Sequence, residues 1–271
     1  MPTQQAPIAP TVPAMDPTYQ AVFTVAMFVA IAVLGGYALR LYRRTGTPVP
    51  LLLMAGGFVA MLSEPIVDVM GLCAYPGEGM WTLFTTFGRP VPVFMVVYVW
   101  FVGGQALLVW QALERGGGSA AVWRWLAIFF VVDVSMETVA VRVFRLYVLY
   151  GAQPFSVFGL PWWWILVNVA MPVVTGVVVY RALPLLPGMK VLGVIALVPM
   201  TIVGVNASTS FAMWNALHTD AGYRLTYPVG LLTIGLTLFL VWLAARAADA
   251  PTTTGAPVEQ RQPVSVNRND A

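Results

Sequence analysis

The chain has 271 residues, 59% of them hydrophobic and only 9% charged, with a mean hydropathy of +0.80; soluble domains carry about 25% charged residues, so a water-soluble fold of this size is excluded. The net charge of +3 and isoelectric point near 9.2 come from 14 Lys and Arg set between apolar runs, a distribution that serves membrane topology and offers nucleic acid no surface. A single cysteine, Cys73, and a single histidine, His218, rule out an intramolecular disulfide, a CxxC metal site and a His-rich metal centre.

Residues 1–18 (MPTQQAPIAPTVPAMDPT) are rich in Pro, contain no Lys or Arg, and so lack the basic start of a secretory signal; they read as a flexible leader. A transmembrane domain is expected over 19–247, with spans near 20–41, 49–71, 90–113, 121–145, 160–181, 190–213 and 226–246. Each is about 20 residues or slightly longer, enough to cross a hydrocarbon core. The fourth is interrupted by Asp133, Glu137, Arg142 and Arg145. The glycines at 116–118 suit a turn before it and belong to no phosphate-binding motif, since neither GxxxxGK[ST] nor GxGxxG is present. Strands are not expected, because lipid cannot satisfy an open sheet edge and no alternating barrel segments occur. The remaining stretch, 248–271, is too polar to bury itself and reads as a disordered cytoplasmic tail. The predicted fold is therefore all-α, a polytopic bundle of about seven spans, integral to a bacterial plasma membrane.

Orientation follows from the basic residues. With the N-terminus outside, the inner segments hold ten of the 14, namely Arg40, Arg43, Arg44, Arg115, Arg124, Arg181, Lys190, Arg246, Arg261 and Arg268. The outer segments hold Arg89, Arg142, Arg145 and Arg224. The positive-inside rule thus places the N-terminus out and the C-terminus in.

Four carboxylates lie inside the predicted spans. Glu64 and Asp68, in MLSEPIVDVMGL, are four residues apart on one helix face, and Asp133 and Glu137, in VVDVSMETV, repeat that spacing in a span running the same way. All four fall in the outer half of the bilayer by the helical rise of about 1.5 Å per residue. An acidic group at a helix centre costs about 2.5–3.5 kcal/mol on insertion scales, so each needs a partner, a wet cavity or a proton. A carboxyl group kept neutral is a general acid, and these four are the candidate catalytic residues. The bland alternative pairs them with Arg89, Arg142 and Arg145. On an ideal helix Arg145 lies about 80° around from Glu137 and Arg142 about 140°, so Arg145 is the better partner and Arg142 suits a snorkelling position. Arg89, in FGRPVP, is either a counter-ion or an interfacial anchor.

Asn168 and Asn206 fall in the outer halves of the fifth and sixth spans, where an amide either orients a substrate oxygen or joins helices. Ser208, Thr209 and Ser210 suit backbone satisfaction, and His218 suits an outer loop. Trp162, Trp163 and Trp164 form an interfacial aromatic belt in one reading. In the other, Trp163 and Trp164 wall a pocket and stabilise a developing cation through their ring faces.

The segments EPIVDVMGLCAYP, FGRPVPVFMVVYVWFVGG and ETVAVRVFRLYVLYGAQPFSVFGLPWWWILVN, within roughly residues 50–185, resemble the spirocyclase AveC-like family of actinobacterial integral membrane proteins. That resemblance implies an enzyme that closes a dihydroxyketone into a spiroketal, or dehydrates an alcohol. It carries over no catalytic set. The residues suit such chemistry, since acid activation, loss of water and capture of an oxocarbenium ion need a neutral carboxyl, a nearby carboxylate and a dry aromatic wall. The expected activity is a membrane-embedded acid–base cyclase or dehydratase that takes a lipophilic oxygenated substrate such as a polyketide or terpenoid, with membrane lipid as its other partner and with no metal or cofactor. A proton-coupled transporter and a non-enzymatic scaffold are the alternatives.

Overall fold

A computed structural model describes residues 7–251. Seven helices run the length of the bundle: α1 (Pro17–Thr45), α2 (Val49–Gly71), α3 (Val93–Glu114), α4 (Gly118–Thr138), α5 (Trp162–Leu185), α6 (Gly188–Leu217) and α7 (Tyr223–Asp249). Among the described residues six of these are long and apolar enough to cross a membrane. The exception is α4, which carries the two acidic residues; its 21 residues still span about 31 Å, and it turns Ile128, Val131 and Val132 outward as a lipid-facing stripe. The protein is thus an all-α integral membrane bundle of about seven spans. The predicted disordered tail lies outside the described residues from 252 onward, as do residues 1–6 of the predicted leader.

The helix ends follow local chemistry. Asp16 caps α1 by accepting from the backbone N–H groups of Thr18 and Tyr19 at 2.8 and 3.1 Å, with Pro17 in the first turn where no amide is needed. Arg43 and Arg44 occupy its last turn, favoured by the helix dipole. The leader is tied down just before the cap: Met15 is buried, and its N–H donates to the Glu78 carbonyl at 2.9 Å.

The helices α2–α3–α4–α7–α6 form a ring around α5, and α1 packs outside it on α2 and α3. The central place of α5 shows in its packing, since it meets α3, α4, α6 and α7, whereas α1 meets only one side of the bundle. Two glycines set the closest approach. A Cβ at Gly103 of α3 would lie 2.5 Å from the Leu53 carbonyl oxygen of α2, and one at Gly57 would lie 2.7 Å from the Tyr98 carbonyl oxygen. Any larger residue at either position would separate the two helices.

Three interruptions of regular helix occur, two near the middle of α2 and α3 and one at the end of α4. Pro65 cannot donate to the ladder, and α2 tightens to a 3₁₀ turn at Met61–Ser63 just before it, leaving Glu64 at the break. Helix α3 opens into a π-helical turn at Val99–Gly104, and α4 runs on into another at Val139–Val143.

Short strands form in the loops that follow α2 and α4, contrary to the purely helical expectation. They are β1 (Cys73–Ala74), β2 (Thr82–Thr86), β3 (Arg89–Pro92), β4 (Val148–Leu149), β5 (Ser156–Val157) and β6 (Leu160–Pro161), paired antiparallel as β1·β4, β2·β3 and β5·β6. The argument against open edges holds within hydrocarbon; these two-stranded ladders lie between helices. The β1·β4 ladder, with Cys73 opposite Leu149 and Ala74 opposite Val148, clasps the loop after α2 to the loop after α4.

Candidate active site

The clasp covers a cavity of about 60 Å³ that both Glu64 and Glu137 line. They come from parallel helices, α2 and α4, and reach it beside Tyr75, Tyr98, Tyr147 and Asn168. The rest of the wall is mostly apolar and aromatic, including Phe23, Phe94, Phe101 and Trp164.

Each carboxylate is held at both oxygens. Glu64 accepts a hydrogen bond at Oε1 from the Tyr75 hydroxyl at 3.0 Å and at Oε2 from the Tyr98 hydroxyl. Glu137 accepts at Oε1 from the Asn168 amide at 3.2 Å and at Oε2 from the Tyr147 hydroxyl. A buried tyrosine normally finds a partner for its hydroxyl, and here the partners are the acidic groups. Burial holds the Tyr75 and Tyr147 hydroxyls well above the usual tyrosine range, and the nearby carboxylates add to the effect, so both stay protonated donors. The same burial keeps the Cys73 thiol protonated. The two halves of the site meet where the Tyr75 and Tyr147 rings pack edge to face at 5.8 Å.

Both π-helical turns border the cavity, through Phe101 on α3 and Ala140 beyond α4. A π turn inserts one residue and re-aims the side chains around it, a device common at functional sites. On α5, Pro172 leaves the Asn168 carbonyl without its helical donor. On α2, a Cβ at Gly71 would sit 2.2 Å from Cζ3 of Trp164, so the indole packs where only glycine admits it.

The other expected residues divide. Asp68 is fully buried next to the site, its Oδ1 3.5 Å from the Tyr75 hydroxyl and its Oδ2 without a partner. Asp133 is fully buried one turn below Glu137, beside the Asn168 amide that donates to Glu137. Neither aspartate lines the cavity. Among the described residues no salt bridge closes on any of the four carboxylates.

Arg89 serves the clasp, donating to the Cys73 carbonyl at 3.2 Å and to the Tyr150 hydroxyl at 2.9 Å. Arg145 is exposed, in the left-handed region at φ 52°, because the helix has ended before it; the ideal-helix angle therefore does not apply, and Arg145 lies outside the cavity wall. Arg142 is likewise exposed. Asn206 donates to the Met171 sulfur and the Ile202 carbonyl, a helix-joining role. The three tryptophans differ: Trp162 is half exposed, Trp163 is buried and donates to Gln153 Oε1 at 3.2 Å, and Trp164 faces the cavity. His218 sits at the end of α6 with its ring against the Trp214 carbonyl, away from the cavity wall.

Residue type alone did not single out Tyr75, Tyr98 or Tyr147. The available signal was a phenol within or beside an apolar span, where a hydroxyl must find an acceptor. Among the described residues no three His, Cys, Asp or Glu side chains group as a metal site would require. No protein-family model, curated protein or solved structure matches this chain.

Proposed function

We propose that the chain is a membrane-embedded acid–base catalyst that cyclises or dehydrates a lipophilic oxygenated small molecule, a polyketide or terpenoid being the kind of substrate that fits. The observation that carries this reading is the aromatic-lined cavity with two carboxyl groups, each fixed at both oxygens. Preorganised acid and base groups in a dry site are what elimination of water requires.

In this reading Glu137, in its acid form, gives its proton to a departing hydroxyl; the C–O bond breaks and water leaves. The cation that remains is stabilised by ring faces and by the Glu64 carboxylate. Glu64 then takes a proton from the attacking hydroxyl, which closes the ring, or from the adjacent carbon, which gives the alkene. One water is released, and return of the proton from Glu64 to Glu137 restores the site. Tyr75 and Tyr147, whose rings touch and whose hydroxyls bind the two carboxyl groups, are the groups between them.

A proton-coupled carrier draws on the same carboxylates. The catalytic reading is favoured because both side chains are clamped at the wall of one cavity. The test is conversion of a dihydroxyketone to its spiroketal, or of a tertiary alcohol to its alkene, in membranes with and without the protein. Proton-driven uptake without conversion would support the carrier.

A further inference from the structure

The inner cavity, at about 60 Å³, has room for a few heavy atoms and not for a polyketide or terpenoid skeleton. Next to it, between α1 and α4, runs a much larger groove of about 590 Å³ on the bundle's outer surface. Its lining is apolar except for Ser135, whose hydroxyl is turned back to the Val131 carbonyl at 2.7 Å. Phe23 of α1 and Met136 of α4 line both spaces, so the partition between groove and cavity is one layer of side chains.

The packing explains why the groove exists. Helix α1 packs on α2 and α3, and it meets the end of α4 through rings: Tyr19 stacks on Phe144 at 5.0 Å, and Phe23 meets Phe144 edge-on at 6.3 Å. Those rings close the outer end and leave the middle open. The π-helical turn Val139–Val143 borders the same groove at Val139. Opening this partition requires rotation of Met136, which is unbranched and flexible, and of Phe23, which packs edge-on against Phe94 and Phe144.

We infer that the α1–α4 groove binds the hydrocarbon part of a substrate taken directly from the surrounding bilayer, and that Phe23 and Met136 form the gate through which its oxygenated end reaches Glu64 and Glu137. The binding route stands on the geometry of the two spaces; only the fate of the oxygenated end rests on the catalytic reading above. Lipid tails are as apolar as the groove, so the chain gains little by transfer alone. Selection comes from the other end, where a hydroxyl or carbonyl leaves hydrocarbon for the tyrosine, asparagine and carboxyl groups of the cavity.

The test uses the full chain in liposomes and two photoactivatable forms of hexadecanol, one with its diazirine near the hydroxyl and one with it near the methyl end. Mass spectrometry of the irradiated protein is expected to find the first probe on peptides bearing Tyr75 and Tyr147, and the second on α1 and α4 around residues 22–27 and 131–136. Met136→Trp, which thickens the partition, should lower cavity labelling at least fivefold and leave groove labelling in place. Phe23→Ala should raise cavity labelling severalfold. Glu137→Gln should still be labelled although its turnover is lost; strong labelling of the unaltered protein without any turnover overturns the catalytic reading and not the route. Cavity labelling that neither partition variant changes, or labelling of the lipid face of α7 at Leu231 and Phe239 as strong as that of the groove, overturns the route.

Discussion

Glu137→Gln is the most informative single change. The amide keeps the size of the side chain and an oxygen to accept the Asn168 hydrogen bond. Its NH₂ then faces the Tyr147 hydroxyl, which accepts instead of donating by rotating its O–H. The stability cost is one exchanged hydrogen bond, of order 1 kcal/mol against a typical ~5–15 kcal/mol for a folded domain, so the protein should fold. What is lost is the acid. General acid–base catalysis contributes about 10²–10⁴ in rate, so the barrier should rise by about 2.7–5.4 kcal/mol. Glu64→Gln should behave alike, and the double variant should fall little further, because groups that act as a unit are non-additive. The assay is product formation in membranes holding equal amounts of each variant, with thermal unfolding measured alongside. Full turnover in both single variants refutes the mechanism, and so does a loss of activity that merely follows a loss of stability.

Four other outcomes are expected. Gly71→Ala drives a methyl into the Trp164 indole and should destabilise the protein by about 1–3 kcal/mol, read as a lower unfolding temperature. Arg89→Met removes the tether between the Cys73 carbonyl and the Tyr150 hydroxyl, so backbone hydrogen exchange in peptides covering 73–75 and 148–150 should speed up while the central helix α5 stays protected. His218→Ala should leave most turnover intact, since the ring lies off the cavity wall, and product formation by that variant checks it. With Cys73 buried and giving little background, a cysteine at Glu78 should react with an impermeant thiol reagent in intact cells and one at Thr47 should not; the reverse pattern would overturn the orientation.

The carboxylate spacing illustrates how far local pattern reaches. Residues four apart on a helix are only about 40° apart in direction, so Glu64 and Asp68, or Asp133 and Glu137, look equivalent from sequence. In the folded chain the glutamates face the cavity and the aspartates do not. Glu64 sits beside the 3₁₀ break before Pro65 and under Tyr98, which the Gly57–Gly103 approach brings across from α3. Glu137 stands where α4 passes into its π-helical turn, within reach of Tyr147 and Asn168. Arg145 failed as a partner for the matching reason: its angle was reckoned on a helix that had already ended.

The number of spans, their approximate limits and the presence of costly acidic groups within them were legible in the sequence, because transfer of a side chain to lipid depends on that side chain and its immediate neighbours. The partners of those acidic groups were not. Tyr75, Tyr98 and Tyr147 come from three separate segments, and the β1·β4 clasp joins loops about 75 residues apart, so only the packing of the helices decided that their hydroxyls would converge on the two glutamates. Hydropathy reports which groups must be satisfied; which distant group satisfies each one is set by the few arrangements in which the helices close without leaving hydroxyl and carboxyl groups stranded in lipid.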